Sequence, residues 1–71
     1  MNKDLSHRIR KIREQKKLTQ ADIAEILGIT SSSYGQIERN AESASFRTIE
    51  KIAIALEVNI SFLVDKDNSE V

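Results

Sequence analysis

A row of small polar side chains is the most distinctive chemical feature of this chain. Ser31, Ser32 and Ser33 stand in succession, and Gln36 follows three positions later. Serine hydroxyls donate and accept hydrogen bonds, and a glutamine amide presents a donor beside an acceptor. Because serine is a poor helix former, three in a row require a reason beyond local structure. These residue types are suited to recognising the hydrogen-bonding groups of a partner.

The other chemically active residue types argue against catalysis. The 71 residues include one histidine and no cysteine, and we find neither paired carboxylates at a defined spacing nor a glycine-rich phosphate loop. Without a nucleophile–base arrangement, we expect no enzyme activity. We also expect no cofactor and no metal, because thiolate ligands are lacking and His7 stands alone among polar neighbours.

Length and hydropathy set further limits. A chain of 71 residues makes one small domain and buries roughly 60% of the surface that its unfolded form exposes. Its aliphatic stretches are much shorter than the ~20 residues that span a bilayer. Residues 1–17 contain no apolar block of the kind that a signal peptide requires. We therefore expect a cytoplasmic protein that has no membrane contact.

Charge is divided unevenly along the chain, although the total is zero. Residues 1–19 carry seven cations and two anions, a net of +5, whereas residues 20–71 carry four cations and nine anions, a net of −5. This division predicts one electropositive end and one acidic end of the molecule. A basic helix face that is simply solvated is the alternative.

Apolar residues recur at helical spacing throughout, which predicts an all-α fold. There is no proline in the chain, and the only glycines are Gly28 and Gly35. We predict five short helices, over residues 4–17, 20–27, 31–39 and 46–56, with a last short turn carrying Ile60, Phe62 and Leu63.

Polar side chains stand where these helices should begin and end. Thr19, Thr30 and Ser45 precede the second, third and fourth helices, and Asn59 precedes the last turn. Such residues are preferred N-caps. At the other ends, Gly28 and Asn40 are predicted to adopt the left-handed conformation that terminates a helix.

The second and third helices have the spacing of a tightly connected pair. Ala24 supplies a small residue at their contact, and Gly28 supplies the turn. The residues that we expect to face the core are Ile23, Leu27, Ile29, Tyr34 and Ile37 in this pair, and Phe46, Ile49, Ile52, Ala53 and Leu56 in the fourth helix.

These motifs resemble a known family. The segment LTQADIAEILGITSSSYGQIERN resembles the helix-turn-helix of the Cro/phage-repressor (XRE) family, and SFRTIEKIAIALEVNISFL is similar to that family's fourth and fifth helices. Among its members, the sequence most resembles short stand-alone repressors and restriction–modification controller proteins, whose third helix often ends in a similar Ile-Glu-Arg-Asn run. The resemblance implies a compact five-helix, lambda-repressor-like DNA-binding domain over residues 1–64, with the helix-turn-helix at 20–39 and a polar tail at 65–71.

The resemblance also implies roles for individual residues. In that family the third helix lies in the major groove of double-stranded DNA and the second crosses the backbone. A thin outer surface on the third helix would allow close approach to the bases, and Gly35 is expected to contribute to it. The family pattern places base-reading groups at Ser31, Ser32, Ser33 and Gln36, phosphate contacts at Gln20, Arg39, Asn40 and Arg47, and a structural ion pair at Arg13 and Glu38.

Alternatives remain for several of these residues. The serines could be ordinary first-turn residues of a helix, and Tyr34 is expected in the core rather than stacked on a base. The chain also departs from the family pattern: Asn40 replaces a frequent glycine, Ala44 a frequent proline, and Glu42 is acidic where more basic residues are usual. The sequence pI of 6.6 is low for a domain that binds nucleic acid.

Weak binding by one such domain favours a dimer. We expect a homodimer that binds a near-palindromic operator in a bacterial or phage, nucleoid-associated setting. It is expected to repress transcription by covering a promoter; activation from a site beside polymerase is the alternative. The apolar residues assigned to the dimer interface are Ile54, Ile60, Phe62, Leu63 and Val64, which could otherwise simply close a small core.

A different function for the same fold is a protein-interaction module. An antitoxin-like or anti-repressor partner of another regulatory protein would suit the acidic half of the chain and its zero net charge. No second domain that could bind a small-molecule ligand is expected in either case.

Overall fold

Four α-helices form the computed structural model, which describes residues 4–64. They are α1 (Asp4–Gln15), α2 (Gln20–Leu27), α3 (Ser31–Arg39) and α4 (Phe46–Leu56), with single 3-10 turns at Ala41–Ser43 and Ile60–Phe62. The part of the chain that the structure describes contains no strand, so the all-α prediction is confirmed. The predicted fifth helix is not confirmed, because its place is taken by the second 3-10 turn. The predicted polar tail at 65–71 lies outside the described residues.

The predicted helix starts are confirmed by side-chain caps. Thr19 and Asp22 form a reciprocal capping box at α2, in which the Thr19 hydroxyl accepts from the Asp22 N–H at 3.0 Å and the Asp22 carboxylate accepts from the Thr19 N–H at 2.8 Å. Thr30 accepts from the Ser33 N–H at 3.0 Å, and Ser45 accepts from the Thr48 N–H at 3.2 Å. Each cap satisfies a backbone N–H that the first helical turn leaves without a partner.

The helix ends agree less well with the sequence. Gly28 is left-handed, with φ 75°, and its N–H donates to the carbonyls of the last turn of α2, as predicted. Asn40 is not left-handed, with φ −114°; its backbone N–H and side-chain amide both donate to the Gln36 carbonyl. The left-handed residues that were missed are Lys17 and Glu57. Lys17 ends the first helical segment, so α1 stops at Gln15 instead of residue 17.

The core lies where all four helices meet. Its fully buried large apolar side chains are Ile9 of α1, Ile23 of α2, Tyr34 of α3, Ile52 and Leu56 of α4, and Leu63 after the second 3-10 turn. Each helix therefore contributes one or two fully buried large side chains to the interior.

None of the helices within residues 4–64 has the length and apolar content that a membrane crossing requires.

Two residues predicted to face this core do not. Phe46 is 60% exposed and Ile29 is 37% exposed. Phe46 opens α4, and helical side chains tilt toward the helix N-terminus, so its ring projects beyond the edge of the core. Ile29 lies in the turn between α2 and α3, at the periphery of the packed helices.

Glu42 connects the loop after α3 to the start of α1. Its carboxylate accepts hydrogen bonds from the backbone N–H groups of Leu5 at 2.8 Å and Ser6 at 3.1 Å. The Ser6 hydroxyl lies 2.9 Å from the same carboxylate and 3.0 Å from the Arg39 carbonyl, and it accepts from the Ala41 N–H. Glu42 thus serves as an N-cap for α1 from a distant position in the chain, a role that local spacing could not predict.

This contact makes the charge of Glu42 part of the fold. Desolvation alone would raise the pKa of Glu42, but the hydrogen bonds donated by Ser6 and Leu5 outweigh it and hold the pKa below its ordinary value of 4.5. The ionised carboxylate is therefore favoured by the folded state. Its contribution to stability is fully present above pH 4.5 and is lost as the pH falls through the lowered pKa.

We predict that Glu42→Ala lowers the free energy of unfolding by about 1 kcal/mol at neutral pH, the usual cost of a lost N-cap. Urea unfolding between about pH 3 and pH 7 should show the difference from wild type narrowing at the acidic end. Glu50→Ala, which removes an exposed glutamate of α4, is the matched control and should have little effect. A difference that stays constant across this pH range would contradict the assignment.

Candidate functional site

The exposed face of α3 carries the polar residues singled out in the sequence. Ser31, Ser32, Ser33 and Gln36 are all exposed, whereas Tyr34 is fully buried. Because residues three and four positions apart share a helix face, Ser32 and Ser33 lie beside Gln36. The outward surface of α3 therefore presents hydroxyls beside an amide, and we call it the serine face, residues 31–33 and 36.

A buried ion pair holds the opposite side of α3. The Arg13 guanidinium donates to the two carboxylate oxygens of Glu38 at 2.9 and 3.0 Å, and these side chains are 9% and 2% exposed. Arg13 also donates to the Leu18 carbonyl at 2.9 Å. The hydrogen bond to Glu38 raises the pKa of Arg13, so the guanidinium stays charged. One side chain thus joins α1, the approach to α2, and α3.

Tyr34 contributes to the same buried surface. Its ring belongs to the core, so it is not available to stack on a partner. Burial raises the pKa of the Tyr34 hydroxyl, and the charge of Glu38 adds to the effect. Within residues 4–64 the hydroxyl has no hydrogen-bond partner. The phenol therefore stays neutral and acts through packing.

Gly35 lies beneath side chains of the protein itself. It is buried, and a Cβ atom at this position would lie 3.2 Å from Gln20 Oε1 and 3.6 Å from Arg39 Nη1. The expectation that Gly35 thins the outer surface of α3 is therefore wrong. Its missing side chain instead lets Gln20 of α2 and Arg39 of α3 approach within 4 Å of one point. We call this the Gln20–Arg39 pair.

We predict that Gly35→Ala raises the free energy of unfolding by about 0.5–1 kcal/mol, because alanine is the better residue in a helix interior. The new methyl group needs the Gln20 amide to shift by only a few tenths of an ångström, and that side chain is flexible. Thermal unfolding followed by circular dichroism checks the effect. A lower melting temperature would mean that the Gln20 side chain is held rigidly over α3.

The remaining predicted phosphate-contacting residues lie at helix boundaries. Arg47 is exposed in the first turn of α4. Asn40 is exposed after α3, but one N–H of its side-chain amide is already donated to the Gln36 carbonyl. The structure thus brings Gln20 and Arg39 together, and it leaves Asn40 with only part of its hydrogen-bonding capacity.

The predicted dimer residues separate into three groups by exposure. Ile54 and Phe62 are 74% and 62% exposed, while Ile60 and Val64 are partly buried against the core. Leu63 is only 1% exposed, so its side chain belongs to the interior of the single chain and is not available to a partner. Leu63 is therefore removed from the predicted interface.

Comparison with known proteins agrees with this architecture. Residues 9–63 match the family model described as Helix-turn-helix. The chain is 34% identical over 65 residues to the uncharacterized HTH-type transcriptional regulator YqaE of Bacillus subtilis (strain 168), an alignment that covers 92% of this chain and 56% of YqaE.

Two further relatives show the same level of similarity. The immunity repressor protein of Bacillus phage phi105 is 35% identical over 63 residues, covering 89% of this chain and 44% of the repressor. The HTH-type transcriptional regulator SutR of Escherichia coli (strain K12) is 34% identical over 65 residues, covering 92% of this chain and 36% of SutR. The chain thus spans about half or less of the length of these relatives. It belongs to the XRE-type helix-turn-helix family.

Proposed function

We propose that this protein is a sequence-specific DNA-binding transcriptional regulator that inserts α3 into the major groove of double-stranded DNA. The observation that carries the proposal is the serine face, which is exposed and hydrogen-bonding while the other side of α3 is anchored by the Arg13–Glu38 pair. An α-helix fits the major groove, where each base pair presents a distinct pattern of donors and acceptors. Short side chains let the helix axis lie close to those base edges.

Each exposed residue of α3 has a role in this proposal. Gln36 can contact adenine through paired hydrogen bonds to N6 and N7, whereas serine hydroxyls can adapt to more than one base. Ser31, Ser32 and Ser33 therefore contribute contacts of lower selectivity. The phosphate contacts that position the helix are assigned to Gln20, Arg39, Arg47 and the free part of the Asn40 amide.

Three acidic residues near these elements are held in structural contacts of the fold. Asp22 belongs to the capping box of α2, Glu38 is paired with Arg13, and Glu42 accepts from the start of α1. Their charges are directed into structural hydrogen bonds. With about two phosphates neutralised per subunit, by Arg39 and Arg47, the logarithm of the affinity should fall by roughly 1.8 for each bound subunit per tenfold rise in salt.

The named relatives favour repression as the regulatory output. One of them is named as an immunity repressor and two as HTH-type transcriptional regulators. A small domain that covers promoter DNA blocks access by exclusion, and such a mechanism needs no catalytic group. Repression at an operator is therefore the form of regulation that we propose.

Operator selection from a random duplex library tests DNA recognition. We predict that the wild-type protein selects a defined site, and that Gln36→Ala weakens binding to it by about 5–150-fold, equivalent to losing ~1–3 kcal/mol of base discrimination. Binding to unrelated duplexes should change little, because phosphate contacts are unaffected. Gln15→Ala, an exposed glutamine at the end of α1, is the matched control. The absence of a selected site, or equal effects of the two substitutions, would count against the proposal.

We further propose that the protein binds as a homodimer through Ile54, Ile60, Phe62 and Val64. Ile54 and Phe62 are large, apolar and mostly exposed, and they lie on α4 and on the 3-10 turn that packs against it. Burying each such side chain contributes about 1.5–3 kcal/mol. Two subunits arranged this way would present their α3 helices to successive major-groove segments, about 34 Å apart.

For the dimer, we predict that Ile54→Asp raises the dissociation constant at least about 100-fold, because an unpaired carboxylate would have to be buried at the interface. Sedimentation analysis should find a species of twice the 8.0 kDa chain mass for the wild type and the chain mass for the variant. Ile26→Asp is the control, since Ile26 is 59% exposed on α2, outside the assigned surface. A monomeric wild type at all concentrations would exclude this arrangement.

A further inference from the structure

A polar groove of about 520 Å³ extends from the Gln20–Arg39 pair toward α1. One wall consists of His7, Arg10 and Glu14, which follow each other at helical spacing along α1. Gln20 of α2 and Arg39 of α3 also line the groove. The groove therefore connects α1 with two of the residues assigned to phosphate contacts.

The charges of this groove leave cationic groups available to a ligand. Arg13 and Glu38 also line it, but they satisfy one another through two hydrogen bonds. The contact between Arg10 and Glu14 is different. It is 3.5 Å long, with side chains that are 64% and 60% exposed, and exposed pairs of this kind contribute little. Arg10 can therefore exchange Glu14 for a stronger acceptor. Arg39, which also lines the groove, is exposed.

We propose that this groove binds a backbone phosphate of the operator, so that α1 makes a DNA contact outside the helix-turn-helix. The inference rests on the proposed function and deepens it. A guanidinium forms paired hydrogen bonds to phosphate oxygens, and Arg10 and Arg39 face the groove from two helices. Gln20 and His7 add N–H donors. Glu14 competes with the phosphate for Arg10 and repels it, so this residue limits the affinity.

Because Glu14 competes with phosphate for Arg10, substitutions at residues 10 and 14 should change the DNA affinity in opposite directions. Removing the positive charge at residue 10 should weaken DNA binding, whereas removing the negative charge at residue 14 should strengthen it. The second effect should be smaller when the arginine is absent, because there is then no guanidinium to release. A merely structural ion pair would give the same sign for both single substitutions.

A double-mutant cycle measures these effects on the selected operator across a salt series. We expect Arg10→Gln to weaken binding about fivefold near physiological salt and to reduce the log–log salt slope by about 0.9. Glu14→Gln should strengthen binding about threefold, and by less than about twofold in the Arg10→Gln background. Arg10→Lys keeps the charge and should restore the salt slope.

The control is Lys16→Gln, which removes a cation just beyond α1 that lies beside Leu18 and Ile26, away from the groove. It should leave the salt slope unchanged, and circular dichroism should show that all variants are folded. An Arg10→Gln slope equal to that of the wild type would overturn the inference. If Gln36→Ala still impaired operator binding in that case, the proposed function would stand. If the wild-type protein bound no duplex at all, both the proposed function and the inference about the groove would be wrong.

Discussion

The buried ion pair between Arg13 and Glu38 is the contact on which the presentation of α3 depends. Two desolvated charges are tolerated only when each satisfies the other, and removing one partner from such a pair typically costs about 3–5 kcal/mol. Arg13 meets this requirement with two hydrogen bonds to Glu38 and a third to the Leu18 carbonyl. The pair thereby selects one arrangement of α1, α2 and α3 in a chain whose core has few large side chains.

This arrangement assigns each side of α3 a different role. The buried side holds Tyr34 and Glu38, and the exposed side is the serine face. Between them, the absent side chain of Gly35 allows Gln20 and Arg39 to lie close together above the helix. We infer that base contacts and phosphate contacts would be positioned by the same short helix. Under the proposed function, a near-neutral chain would act on DNA with Asp22, Glu38 and Glu42 held in caps and pairs within the fold.

The features that follow from local chemistry were predictable from the sequence. Thr19, Thr30 and Ser45 cap helices because each needs only the N–H groups three positions ahead. The left-handed residues Lys17 and Glu57 were missed because nothing in their side chains favours that conformation.

Contacts between distant residues were harder to predict. The carboxylate of Glu42 accepts hydrogen bonds from backbone N–H groups 36 and 37 positions away. The periodicity of the sequence does not indicate a contact over such a separation. The Arg13–Glu38 pairing was expected from the family resemblance alone. The burial of Gly35 depends on how α2 crosses α3, so the sequence suggested an exposed role for it.

The most direct test of the proposed DNA-binding role of α3 is an NMR titration of the ¹⁵N-labelled protein with its selected operator. The account predicts that the largest shifts occur at residues 31–33 and in the side-chain amides of Gln36 and Gln20. Shifts confined to the outward side of α4 and to Phe62 would contradict it.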